Sequence, residues 1–155
     1  MEPDHVPTLD FVAKVRVDLD APIEVGDVPI GRRRIIPIIG GSIDGPELQA
    51  EILTGGADWQ IVGTEGTAVI DTRYTARTPD GALIYLATQG FRHGTTAVLE
   101  RLSAGEPVGR DEYYFRLTVR LETGSPELAW INRTVFVASA GREAMTVRYD
   151  LFALR

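Results

Sequence analysis

Three stretches of this chain alternate residue by residue, and that period of two restricts the fold more than any other feature. Phe11, Ala13, Val15 and Val17 alternate with Val12, Lys14, Arg16 and Asp18; Phe115, Leu117, Val119 and Leu121 alternate with Tyr114, Arg116, Thr118, Arg120 and Glu122. Met145, Val147, Tyr149 and Leu151 do the same against Thr146, Arg148, Asp150 and Phe152. Successive side chains of a strand point to opposite faces, so each stretch predicts a strand with one face buried. Turn chemistry separates them. Arg77-Thr78-Pro79-Asp80-Gly81 supplies a proline with its φ preset and a glycine for a left-handed position, which predicts a hairpin between about Thr67–Arg77 and Ala82–Gly90. Gly63-Thr64-Glu65-Gly66 is a second turn. Gly124-Ser125-Pro126-Glu127 and Ser139-Ala140-Gly141-Arg142 divide the last strands into an antiparallel meander running from Tyr113 to the C-terminus. A single helix is expected over residues 96–103, with Thr95 as its cap and Gly105 as its stop.

The stretch from Trp130 to Val137 reads as a further strand with no purely polar side: Trp130, Asn132, Thr134 and Phe136 share one face, and Ile131, Val135 and Val137 the other. Both faces then need cover, which favours an all-β, single-domain antiparallel β-barrel over residues 1–155, with a sandwich as the other solution. A barrel of this kind would enclose a packed or ligand-holding lumen and present an outer surface to a partner subunit.

Composition narrows the function classes. A chain of 155 residues removes roughly 70% of its unfolded surface from water on folding, enough for a proper core in one domain. A net charge of −6 argues against nucleic-acid binding, and the one basic cluster, Arg32-Arg33-Arg34, reads as a strand end or edge. No apolar run is long enough for a membrane-spanning helix. The first residues lack the basic and apolar parts of a secretory signal, so the cytoplasm is the expected compartment. The absence of cysteine removes thiolate catalysis, disulfides and cysteine-ligated metals. His5 and His93 stand apart, no carboxylate pair has metal-ligand spacing, and Gly40-Gly41-Ser42 reads as a bend between strands; no metal or cofactor is expected.

The richest candidate segment is Gly55-Gly56-Ala57-Asp58-Trp59-Gln60, followed by Ile70-Asp71-Thr72-Arg73-Tyr74. A carboxyl set against an indole is held in its neutral form to higher pH, which would suit Asp58 to act as a base beside Trp59. The alternative is an Asx-turn acceptor for the glycine-rich backbone. Arg73 and Arg116 sit mid-strand and need an anion or a carboxylate partner if they face inward, with Asp71, Glu112 and Glu122 available. Tyr74, Tyr114, Trp59 and Trp130 are candidates for aromatic walls, or for ordinary core. Asn132 would orient a carbonyl or pin a neighbouring strand. Strand parity puts Tyr114 and Arg116 on one face, pairs Trp130 with Asn132, and sends Arg73 and Tyr74 to opposite faces.

The ordered set Gly40-Gly41, Gly45-Pro46, Gly55 to Gln60, Thr72-Arg73-Tyr74, Asp80-Gly81, Tyr113 to Arg116, Trp130-Ile131-Asn132 and Phe136-Val137 resembles the family known as domain of unknown function 3237 over about the whole chain. Gln49-Ala50 and Thr54 depart from that pattern where glycine and proline are usual. The resemblance implies a small antiparallel barrel that often forms homo-oligomers, and no settled activity. Two function classes follow. One is a small-molecule site for a carbonyl or aromatic compound, working without a cofactor by acid–base chemistry as an isomerase or cyclase would, with Asp58 as base, Tyr114, Arg116 and Asn132 as donors, and Trp59, Arg73, Tyr74 and Trp130 contacting the ligand. The other is a non-catalytic carrier or oligomerising accessory protein.

Overall fold

A computed structural model describes all residues from Met1 to Arg155. The chain forms β1 (Leu9–Leu19), β2 (Ile23–Val28), β3 (Gly31–Asp44), β4 (Gln49–Ile52), β5 (Gly56–Val62), β6 (Ala68–Arg77), β7 (Leu83–His93), α1 (Thr96–Ser103), β8 (Tyr114–Thr123), β9 (Val135–Arg142) and β10 (Thr146–Leu154). Short 3₁₀ segments cover Arg110–Glu112 and Pro126–Arg133.

Antiparallel pairing runs β10–β9–β8–β7–β6, then from β6 to both β5 and β4, and from these to β3. β3 pairs with β1, and β1 pairs with β10, so the sheet closes on itself as an eight-strand barrel. Closure excludes the sandwich. β4 and β5 share one edge of the long β3, while β1 and β2 share the other.

Local chemistry explains the turns. In the β6–β7 hairpin the Gly81 N–H donates to Thr78 O at 2.9 Å and the Thr78 N–H donates to Ala82 O at 2.9 Å, with Gly81 at φ +92°. Thr95 caps α1, its hydroxyl accepting from Val98 N–H at 3.3 Å, and Gly105 follows the helix with φ +74°.

Four expectations are corrected. Ser139-Ala140-Gly141-Arg142 is not a turn but the end of β9, paired with β10 from Val147 to Asp150. The Trp130–Val137 strand begins only at Val135; Trp130 and Asn132 lie in the 3₁₀ segment instead. Pro126 opens that segment, Leu128 N–H donates to Ser125 O at 3.2 Å, and the Thr134 hydroxyl donates to Trp130 O at 2.8 Å, so the backbone is satisfied locally rather than by a sheet. The alternation from Phe11 is interrupted by a bulge between Phe11 and Ala13, which leaves Phe11 exposed and buries both Val12 and Ala13. Gly40 and Gly41 lie within β3 and not at a bend between strands.

Inward-facing side chains of β1, β3, β4 and β6 to β10, joined by Leu48, Leu102, Tyr113 and Ile131, form one apolar cluster of 30 buried residues, among them Phe115, Leu121, Phe136, Leu151 and Ile84. Its energetics depend on the β1–β3 seam, where Gly41 opposes Val17. Gly41 has φ +137°, and a Cβ there would run into the carbonyl oxygen of Arg16. Replacing Gly41 by Ala should therefore lower stability by about 3 kcal/mol, read as a reduced urea midpoint with unchanged slope. An unchanged midpoint would mean that the seam can shift without loss.

Candidate functional site

Polar side chains on the inward face of a barrel strand break the apolar rule, and here they gather at one end. Along β6 the inward residues run Ile70, Thr72 and Tyr74; along β7 they run Leu86, Thr88 and Arg92; β5 contributes Asp58 and Gln60. Cross-strand register sets Asp58 opposite Thr72, and Thr72 opposite Thr88. With Arg142 from the end of β9 and Tyr149 from β10, these residues line a lumen cavity whose remaining wall is apolar, including Ile36, Ile38, Phe115 and Leu117. The cavity is narrow: its enclosed volume is about 40 Å³, within about 500 Å³ of unfilled space that includes open solvent at its mouth.

The hydrogen bonds order this end of the barrel. Gln60 Nε2 donates to Asp58 Oδ2 at 3.0 Å, and the Asp71 backbone N–H donates to Asp58 Oδ1 at 3.0 Å. Arg34 Nη1 donates to Gln60 Oε1 at 3.3 Å, which fixes the orientation of the amide. The Thr72 and Thr88 hydroxyls share a bond of 2.5 Å. Deeper in the lumen, Tyr74 Oη and Tyr149 Oη lie 2.6 Å apart and form the floor; Ala76, Leu86 and Leu151 beyond them belong to the filled core.

Burial sets the protonation of these groups. It holds the Asp58 carboxyl above its usual range, against the opposing pull of the Asp71 N–H, Gln60 and the Arg92 charge. Burial also lowers the Arg92 guanidinium to about 10, helped by repulsion from Arg142 and Arg34, so that it stays charged at neutral pH. Arg142 is lowered for the same reasons, desolvation first and Arg34 next. Tyr74 and Tyr149 are pushed up by burial and stay neutral.

Among the residues singled out in the sequence, Asp58 and Tyr74 line the lumen. Trp59 does not: β5 is regular through this segment, so its side chain points outward, half exposed, and no indole wall stands beside Asp58. Arg73, expected to contact a ligand, points outward instead: parity sets it opposite Tyr74, and it is Tyr74 that enters the lumen. Tyr114 and Arg116 share a face, but it is the outer one; Tyr114 stacks on His93 at 4.9 Å, and the Arg116 guanidinium lies 5.6 Å from the Tyr114 ring centre. Asn132 pins β8 at the opposite end of the barrel, accepting from Thr123 N–H at 2.8 Å and donating to Thr123 O at 2.9 Å. Trp130 packs there against Phe136. The predicted convergence of Asp58 with Arg116 and Asn132 is therefore absent.

The residues that do converge with Asp58 are Gln60, Thr72, Thr88, Arg92, Arg142, Tyr74 and Tyr149. A usable signal existed for some of them: Gln60 shares parity with Asp58, and Thr72 interrupts the apolar file between Ile70 and Tyr74. Arg142 lies in a segment that reads as a turn, so no periodicity marks it. No group of three or more His, Asp or Glu side chains is placed to hold a metal ion, and no helix is long and apolar enough to cross a membrane.

The inverted stability dependence of Asp58 is measurable. Below its ordinary value of 3.8 the carboxyl is neutral in both folded and unfolded chains. As pH rises through the higher folded pKa, the unfolded chain releases the proton more readily, so the stabilisation from this group is lost. Unfolding free energies of the wild type minus those of Asp58→Asn, taken from about pH 3 to about pH 8, should fall with rising pH and then level off. A difference that rises with pH would contradict a buried, neutral-favouring carboxyl.

The model of the family described as "Protein of unknown function (DUF3237)" matches residues 7–154, and the chain belongs to that family. It is 35% identical to a UPF0311 protein of Rhodopseudomonas palustris strain TIE-1 over 147 residues, covering 94% of this chain and 96% of the other. A UPF0311 protein of Bradyrhizobium diazoefficiens is 37% identical over the same coverage. Among solved structures, a β-barrel-like protein of Acinetobacter baumannii aligns over 100% of both chains with 46% identity and a TM-score of 0.86. A Rhodopseudomonas palustris protein of unknown function aligns over 100% of both with 34% identity and a TM-score of 0.93. An enzyme from Penicillium herquei shares the fold, with a TM-score of 0.74 at 17% identity over 100% of this chain and 99% of the other.

Proposed function

We propose that this member of the DUF3237 family binds a small organic molecule bearing a carbonyl group or an aromatic ring in its lumen, and that Asp58 exchanges a proton with it. The observation that carries this reading is the placement of Asp58. It is the one carboxylate lining the cavity, it is desolvated, and both of its oxygens are held by donors. A raised pKa makes a carboxylate a stronger base at neutral pH, and a fixed orientation saves the entropy of aiming it. In the simplest step, a C–H bond beside the carbonyl breaks, its proton goes to an Asp58 oxygen, and its electron pair moves to the carbonyl oxygen as an enolate. Return of the proton to the same carbon is exchange, and its return to another atom completes an isomerisation; a ring closes when the enolate carbon instead bonds to a second carbonyl carbon of the same ligand, whose oxygen takes the electron pair and then the proton from Asp58, all without any cofactor. Tyr74 and Tyr149 support the oxyanion: one hydroxyl proton lies in their mutual bond and the other is available to a ligand. The fold of the Penicillium herquei enzyme is compatible with this chemistry but does not transfer an activity, because fold alone does not define a site.

Acetophenone, which has both a ring and exchangeable α-protons, separates the alternatives. It should shift the methyl resonances of Ile36, Ile38, Ile70 and Leu117 saturably, and the wild type should exchange its α-protons in D₂O about a hundredfold faster than Asp58→Asn. Binding without exchange selects the carrier function instead. Undisturbed lumen methyls would overturn the reading.

Self-association belongs to the same proposal. The outer face exposes Val69, Phe91, Tyr114 and Val135 beside charges of both signs, Asp71 and Glu122 with Arg73, Arg116 and Arg120, a pattern that a second copy of the chain can complement. Sedimentation should give a mass above 17.0 kDa that Phe91→Glu reduces to that of one chain. A monomeric wild type would remove this part.

A further inference from the structure

Buried charges are normally paired, and two lumen arginines of this protein break that rule. Arg16, Arg32, Arg34, Arg101, Arg110, Arg120, Arg148 and Arg155 all have a carboxylate oxygen within 4.0 Å. Arg92, at 8% exposure, and the half-buried Arg142 have none, although both line the lumen. The Nε–H of each is buried and meets no acceptor in the chain. Asp58, the only lumen carboxylate, feels the Arg92 charge but makes no ion pair or hydrogen bond with either arginine; its oxygens accept from Gln60 and the Asp71 backbone. The chamber therefore carries more positive than negative charge inside a protein whose net charge is −6.

From these unpartnered guanidiniums we infer that the lumen selects an anion, a small planar oxyanion such as a carboxylate, held by Arg92 and Arg142 with its apolar body against Phe115 and the lumen isoleucines. This deepens the lumen-binding reading and rests on it. The Nε atoms are shut off from the cavity, so the edge open to a ligand is the one formed by the two Nη groups, which likewise presents two parallel donors at the spacing of two carboxylate oxygens. Phe115 supports one edge from below, its ring centre 5.7 Å from the Arg92 carbon that joins the three nitrogens. Low local dielectric strengthens such a contact and penalises a neutral isostere that supplies only one good acceptor.

Benzoate and benzamide have the same shape and differ in charge. Titrated calorimetrically at matched ionic strength, benzoate should bind the wild type at least about tenfold more tightly than benzamide, a difference typical of one charge-assisted contact. Arg92→Gln and Arg142→Gln should each erase the preference, Arg92→Lys should restore only part of it, and the outward Arg73→Gln should keep it whole; thermal melts verify that each variant is folded. Equal affinity for the two probes, or an anion preference that survives in both glutamine variants, overturns anion selection while leaving the lumen a binding site. No binding of benzoate, benzamide or acetophenone removes both this inference and the lumen reading.

Discussion

Closure of the sheet through the β1–β3 pairing is the constraint on which the rest of the structure depends. An open sheet would leave the inward faces of these strands to be covered by something else. Once β3 joins β1, the side-chain alternation of every strand is converted into inside against outside, and residues far apart in sequence meet across one lumen. Asp58, Arg92, Arg142 and Tyr149 come from four strands and share a cavity for this reason alone. The glycine at position 41 allows the close approach at that seam, since a larger residue would strike the Arg16 carbonyl.

The lumen is divided in its physical character along its length. Below the Tyr74–Tyr149 pair, aliphatic and aromatic side chains fill the space to the density of an ordinary core, and the 3₁₀ segment at the far end adds Ile131 to that packing. Above the pair the wall is mixed, with hydroxyls, one carboxyl and two guanidiniums set among isoleucines and Phe115. Apolar packing and polar groups are thereby separated within one lumen: the lower half supplies apolar burial, and the upper half tolerates polar groups because a network satisfies most of them. Asp58 and the two arginines are its exceptions in different ways. Each oxygen of the desolvated carboxyl accepts one hydrogen bond, whereas the guanidiniums retain unused donors.

Strands β1, β6, β7, β8 and β10, the β6–β7 hairpin and the capped helix at Thr95 were legible in the sequence because each depends on neighbours a few residues away, whereas β2 to β5 were not delimited. Trp130 to Val137 was not, since its alternation of apolar and polar residues fits both a strand and a 3₁₀ turn, and the choice rests on Pro126 and on the pairing of Asn132 with Thr123. Within the site, Asp58 stood out by its glycine-rich setting, whereas parity set Tyr74 and Arg73 on opposite faces without deciding which of them enters the lumen. Trp59 was misplaced because the glycine pair suggested a turn, while β5 is straight from Gly56 onward and puts adjacent residues on opposite faces. Tyr114 and Arg116 shared a face as predicted, but a period of two does not say which face is the lumen when both carry aromatic and charged residues.

By itself the sequence determined that this chain is a β protein with a single antiparallel course and a carboxyl in an unusual setting, because periodicity, turn residues and caps act locally. Only the tertiary structure decided which arginines accompany that carboxyl, since Arg92 and Arg142 reach the lumen through pairings between distant strands. It also decided that their charges go unpaired, because the presence of a partner depends on distance in space, and the many acids of this chain lie mostly on the outside.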